Sequence, residues 1–177
     1  MEFSYEIKIP KDRVAVLIGV KGNVKKKIEK SLKLKINVDS REGDVIFTGD
    51  DSLALVTAQN IAKAIGRGFN PEVALELLDE NNCLEIIDIS DYAGESRTAL
   101  IRIKARVIGT SGKARKNIER LTDTNVVVYG KTIAIIGGYE GVRLARMAFE
   151  DLLKGSRHSG VYSWLEKHRK DMKVRLH

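Results

Sequence analysis

A run of fifteen residues, Val16-Leu-Ile-Gly-Val-Lys-Gly-Asn-Val-Lys-Lys-Lys-Ile-Glu-Lys30, returns ninety positions later as Arg106-Val-Ile-Gly-Thr-Ser-Gly-Lys-Ala-Arg-Lys-Asn-Ile-Glu-Arg120, with no gap between the copies. Ile18 falls on Ile108, Gly19 on Gly109, Gly22 on Gly112, Lys26 on Lys116, Ile28 on Ile118 and Glu29 on Glu119. A repeat at this spacing calls for two copies of one folding unit in a chain of 177 residues. Each copy joins an apolar run, a four-residue glycine turn and a basic helix. Glycine lets a backbone approach a phosphate with no side chain in the way. The helix that opens next offers unpaired N–H groups and the positive end of its dipole. Gly138-Tyr-Glu-Gly141 has the same glycine spacing but carries Glu140 and follows a strand-like run, so it reads as an ordinary strand-to-helix turn.

Charge follows the repeat. Residues 19–36 hold seven lysines against Glu29, and residues 100–120 hold seven Lys/Arg against Glu119, a net +6 in each stretch. The whole chain is only +7, so the remainder sums to −5; Pro71–Ser96 alone has eight acidic residues and no Lys or Arg. Positive charge concentrated on the repeated motif is what a polyanion-binding surface requires. The acidic segment suits either a protein partner or a brace between domains.

The single cysteine, Cys83, excludes an internal disulfide framework and a cysteine-based zinc site; it reads as a half-buried strand residue. No signal peptide and no membrane-length apolar run is recognisable, so a soluble, intracellular (cytoplasmic) protein is expected.

Taken in order, the chain reads as a strand from Tyr5, a helix Lys11–Leu17, the Gly19–Gly22 turn, and a second helix with Val24, Ile28 and Leu32 inward. A hairpin of Lys35–Asp39 and Val45–Thr48 follows, then a helix from Asp50 to Ile65 with Leu53, Val56, Ile61 and Ile65 inward. Gly66–Pro71 breaks the pattern, and Glu72–Glu80 is a short acidic helix. A strand Cys83–Ile89, a loop Asp91–Ser96 and a helix Arg97–Val107 lead into the Gly109–Gly112 turn. Helix Lys113–Leu121, strands Asn125–Tyr129 and Thr132–Ile136, and helix Tyr139–Lys154 (Val142, Ala145, Phe149 and Leu152 inward) complete the second copy. The tail is expected to be helical from about Ser159, with Val161, Trp164, Leu165, His168 and Met172 as a stripe that either docks on the second domain or, with Arg157, Lys167, Arg169 and Lys170, forms part of an RNA or protein contact; His158, His168 and His177 read as surface residues.

This β-α-α-β-β-α unit with Ile-Gly-x-x-Gly between its first two helices resembles the type I KH domain, present twice. The fold class is therefore α+β: two tandem type I KH domains joined by a short acidic helix and followed by a C-terminal helix. The boundaries are 1–69, 70–81, 82–156 and 157–177. Asp88-Ile-Ser-Asp-Tyr-Ala-Gly, Arg106-Val-Ile-Gly-Thr-Ser-Gly-Lys and His158-Ser-Gly-Val-Tyr-Ser-Trp-Leu narrow the likeness to the partner-of-Nob family of small-subunit assembly factors. Eukaryotic relatives carry an N-terminal extension and a degenerate first glycine turn; here the extension is missing and both first-turn glycines are kept, as in the compact archaeal form.

The resemblance implies single-stranded RNA binding in small-subunit pre-rRNA processing, at the rRNA 3′ end. Its implied protein partners are a Nob-type endonuclease, the rRNA adenosine dimethyltransferase and a translation initiation factor subunit. A KH module clamps about four nucleotides. Backbone of Gly19, Val20, Lys21 and Gly22, and of Gly109, Thr110, Ser111 and Gly112, is expected at sugar–phosphates. Lys25, Lys26, Lys113, Arg115 and Lys116 add charge. Ile18, Ile108, Ile36, Val38, Val126 and Val128 are candidates to floor the base groove, some of the strand residues facing the core instead. Aromatic residues are 6% of the chain, so stacking platforms are not expected.

Two rival functions are a general KH module in RNA decay or translation control, and a metal-dependent nuclease built on Asp88, Asp91 and Glu95. These three read better as strand-end turn and capping residues, so no catalysis, cofactor or metal is expected. Lys113 after Gly112 is a poor phosphate loop of the nucleotidase kind, because Ala114 stands where a magnesium-holding hydroxyl is needed. If about five phosphates are neutralised on binding, log affinity should fall against log salt with a slope of about −3.5. A measured slope near zero would place the lysines away from the RNA.

Overall fold

The structure, a computed structural model, describes residues 1–175, apart from the Met172 side chain. The expectations for Met172 and His177 lie outside the described residues. The chain divides into two compact units, Met1–Glu80 and Asn81–His177.

In the first unit β1 (Phe3–Lys8) leads through a 3-10 turn into α1 (Val14–Ile18), and α2 (Asn23–Leu32) follows the glycine turn. Strands β2 (Lys35–Val38) and β3 (Asp44–Gly49) and helix α3 (Ser52–Gly66) complete the order. The sheet runs β1-β3-β2, antiparallel throughout, which leaves β2 on an edge. Strand alternation sets one face inward: Val45 and Phe47 are fully buried, while Ile46 between them is exposed. Asp51 caps α3 by accepting from the Leu53 and Ala54 N–H groups.

Leu53 and Val56 lie outward, at 75% and 43% exposure. This corrects two of the four residues expected inward; Ile61 and Ile65 are buried as expected, together with Leu55, Ala58, Ala62, Ala64 and Gly66. Of the helix's two leucines Leu55 is buried and Leu53 is not, and the small residues Ala58, Ala62 and Ala64 share the buried face. After α3, Pro71–Ala74 (α4) and a 3-10 turn over Leu75–Leu78 replace the single acidic helix. Ala74 and Leu77 pack inward, and Glu72, Glu76, Asp79 and Glu80 are exposed. Arg13 ties this end of the unit together, donating to the carbonyls of Ile65 and Phe69, 2.8 Å each.

The second unit repeats the order with β4 (Asn82–Asp88), α6 (Arg97–Ile108), α7 (Lys113–Thr122), β5 (Thr124–Tyr129), β6 (Thr132–Gly138) and α8 (Tyr139–Leu153). Its sheet is β4-β6-β5, again antiparallel with β5 on the edge. The residues expected to form a loop at 91–96 instead begin with one turn of helix, α5 (Ser90–Ala93). Asp88 causes it by accepting from both the N–H and the hydroxyl of Ser90. Cys83 is half-buried in β4, where burial, then the charge of Glu85, pushes its thiol pKa up. Val142, Ala145, Phe149 and Leu152 of α8 all lie in the core.

Helix α9 (His158–Arg175) docks on this core through Val161 and Leu165, 4% and 0% exposed, packing against α7 and α8. Among the described residues no helix is long and apolar enough to cross a membrane.

The burial pattern separates two leucines two positions apart. Leu55→Ala should cost the full chain about 3 kcal/mol in denaturant unfolding, as an emptied core site does, whereas Leu53→Ala should change stability by less than about 0.5 kcal/mol. Equal losses would contradict this packing of α3.

Candidate nucleic-acid interface

The two repeated turns have one backbone conformation. Gly19 and Gly109 adopt φ/ψ of 78°/175° and 76°/172°, Lys21 and Ser111 54°/27° and 55°/29°, and Gly22 and Gly112 75°/16° and 75°/14°. Three of the four residues thus have positive φ. The first glycine is required twice over: a Cβ on Gly19 would lie 2.2 Å from Asn23 Oδ1, and one on Gly109 2.7 Å from the Ala114 nitrogen. At Gly22 and Gly112 the space is open, and only the backbone angle demands glycine. Gly138, in the control motif, has φ −64° and simply precedes α8.

Each turn delivers the chain into a ten-residue helix whose N-cap is a glycine with no side-chain cap. Lys26 Nζ reaches back to the Lys21 carbonyl at 3.3 Å, and Lys116 Nζ to the Ser111 carbonyl at 3.4 Å. These lysines hold the strained third residue of each turn while keeping their charge at the surface. Lys21 and Lys113 are also exposed, so the charge beside the turn sits on its third residue in one unit and on the following helix in the other. Val20 and Thr110 are exposed at the tips.

Two of the candidate cations, Lys25 and Arg115, are partly engaged by a neighbouring glutamate. Arg115 Nη1 pairs with Glu119 Oε1 at 2.5 Å and also donates to the Val126 carbonyl at 3.2 Å. Glu119 Oε2 in turn accepts the Val126 N–H at 2.9 Å. In the first unit Glu29 Oε2 accepts the Ile36 N–H at 3.0 Å, and Lys25 lies 3.6 Å from Glu29. The repeated glutamate therefore ties the basic helix to the edge strand. Sequence reading counted Glu29 and Glu119 as charge only; their constant seven-residue distance to Ile36 and Val126 was the available signal.

The apolar candidates divide by depth. Ile36 and Val126 are 1% and 2% exposed, so their side chains belong to the core and only their backbone reaches the edge. Val38 and Val128, two residues on and on the same face, are half-buried at the rim, as are Ile18 and Ile108 at the helix ends.

His158 and His168, read as surface residues, are half-buried: His158 Nε2 donates to the Arg106 carbonyl at 2.9 Å, and His168 lies against Trp164 at 4.3 Å between ring centroids. Asp88 is engaged by Ser90, whose hydrogen bonds hold its carboxyl below the ordinary aspartate range. Among the described residues no three His, Cys, Asp or Glu side chains are grouped to hold a metal ion.

A family model described as "Eukaryotic type KH-domain (KH-domain type I)", specific to the second KH domain of PNO1, matches residues 83–170, and a KH domain model matches residues 4–67. The chain is 52% identical over 171 residues to a KH domain-containing protein of Methanocaldococcus jannaschii, covering 94% of this chain and 74% of that protein. It is 31% identical over 166 residues to the RNA-binding protein pno1 of Dictyostelium discoideum, covering 90% and 69%. A solved a/eIF2alpha-aDim2p-rRNA complex from Pyrococcus horikoshii contains a chain of the same fold, with TM-score 0.88, 46% identity and 96% of each chain covered.

The turn geometry distinguishes the two glycines of each motif. Gly112→Ala should destabilise the chain by about 1 kcal/mol, the cost of a left-handed residue, and Gly109→Ala by clearly more, because its Cβ also meets the backbone of α7. Thermal unfolding of the two variants checks the order; a reversal would contradict the conformation of the turn.

Proposed function

The chain belongs to the PNO1/Dim2 family of KH-domain proteins, and from that membership we propose that it binds single-stranded RNA during small-subunit pre-rRNA processing and ribosome assembly. The observation that carries this reading is the pair of glycine turns, equal in backbone angles to within three degrees, each opening an uncapped basic helix beside a sheet edge. The exposed backbone of residues 19–22 and 109–112 meets sugar–phosphates, with Lys21, Lys26, Lys113 and Lys116 supplying charge. Ile18, Val38, Ile108 and Val128 contact bases from the groove walls. Lys25 and Arg115, together with Ile36 and Val126, act mainly by holding those walls in place.

The RNA is the 3′ region of the small-subunit rRNA or its precursor. The family relation to the Pyrococcus complex supports an initiation factor alpha subunit as a protein partner; the endonuclease and dimethyltransferase that act on the same RNA end are further candidates. The protein acts by binding, with no catalytic step of its own.

Introducing anions into the turns tests this. Val20→Asp/Lys21→Asp and Thr110→Asp/Ser111→Asp should each weaken binding of a single-stranded oligonucleotide of the rRNA 3′ end by at least about tenfold, since each places like charge against phosphate. The unmodified protein should leave the oligonucleotide uncut in magnesium or manganese. Undiminished binding by both folded variants would overturn the clamp, and cutting that copurifies with the chain would overturn the non-catalytic role.

A further inference from the structure

The second clamp has a neighbour that the first lacks. Helix α9 begins beside the Gly109–Gly112 turn, and between them lies an open cavity of about 450 Å³ lined in part by Arg106, Gly109, Thr110, Lys113, His158 and Tyr162. Its volume is enough for one nucleotide. No carboxylate lines it, and two full positive charges do. The guanidinium of Arg106 is held by one donation to the Ser156 carbonyl at 2.5 Å, and its buried Nε has no acceptor.

His158 is fixed by the hydrogen bond from Nε2 to the Arg106 carbonyl, which leaves Nδ1 of the neutral ring as an acceptor. Tyr162, one helical turn on, sets its ring 6.2 Å from that of His158 at 57°. The low aromatic content argues against stacking platforms across the whole chain, yet two rings are gathered at this one place. Cations, a hydroxyl and aromatic faces in one cavity are the chemistry of a nucleotide, not of an apolar ligand or a cationic one.

We propose that this cavity is an additional nucleotide subsite of the second unit, taking the nucleotide next to the stretch held by the Gly109–Gly112 clamp. The inference rests on the RNA-binding reading. Because the cavity shares Gly109, Thr110 and Lys113 with the clamp, a strand leaving the turn on that side enters it without crossing open solvent. Its base lies against Tyr162 and His158, and its phosphate against Lys113 and Arg106. The second unit then covers one nucleotide more than the first, because α9 supplies the far wall.

Scanning 2-aminopurine along a single-stranded RNA that extends two nucleotides past the clamped stretch on both sides tests the subsite with the unmodified protein. Fluorescence should be quenched on binding at one flanking position, and that quenching should vanish in Tyr162→Leu. The same variant should weaken the extended RNA by about fivefold or more, in line with loss of one stacked base, and leave an RNA trimmed to the clamped stretch unaffected. Absence of quenching at every flanking position, or equal weakening of the trimmed and extended RNAs, would overturn the subsite while leaving the clamp intact. Failure of the unmodified protein to bind the trimmed RNA at all would overturn the RNA-binding reading, and the subsite with it.

Discussion

The left-handed turn between the paired helices is the constraint to which the other features of each unit answer. Three positive-φ residues among the four reverse the chain tightly, and the following helix starts with no side-chain cap on its first N–H groups. Only glycine fits the first position, and a non-glycine residue is kept at the third, Lys21 or Ser111, at a steric cost of about 1–2 kcal/mol. A lysine from the next helical turn steadies that residue's carbonyl in both units. This strained conformation, kept in two copies of differing sequence, is the observation on which the proposed clamp rests.

A groove needs two walls held at a fixed separation, and here a carboxylate does it. Glu29 and Glu119 reach from the basic helix to an outward N–H of the edge strand, which removes one exposed donor from that edge and joins the two elements directly. The brace is stronger in the second unit. Arg115 engages both the glutamate and the strand carbonyl, whereas Lys25 approaches only its glutamate, and at a longer distance. A single guanidinium nitrogen, Nη1, makes both of the Arg115 contacts. The second unit also carries α9, packed against α7 and α8.

Most of this fold was legible from period and repeat. Helix α8 showed its inward face correctly because Val142, Ala145, Phe149 and Leu152 hold to one helical stripe beside polar neighbours. Helix α3 misled because it is apolar on several sides, so that Leu53 and Val56 fit a stripe as well as Leu55 and Ala58 do. Asp88 was legible as a strand-end turn residue and accepts from Ser90, but the single helical turn over Ser90–Ala93 was not legible. At the site, the sequence marked where positive charge gathers but not which cations are already paired. Arg115 and Lys25 look equivalent to Lys116 and Lys26 until the glutamate's reach to the strand is seen. His158 and Tyr162 stood in a tail whose position beside the second turn only the tertiary structure supplies.

The central claim is that RNA meets the chain at the two turns and the adjoining strand edges. The most direct measurement is the backbone amide NMR spectrum of the isotopically labelled full chain, followed while a single-stranded oligonucleotide of the small-subunit rRNA 3′ end is added. The account predicts the largest shift changes at residues 19–24 and 109–114, with smaller ones at Val38 and Val128. Changes confined to the acidic segment at 71–96 or to the sheet face bearing Ile46, with the turns unmoved, would contradict it.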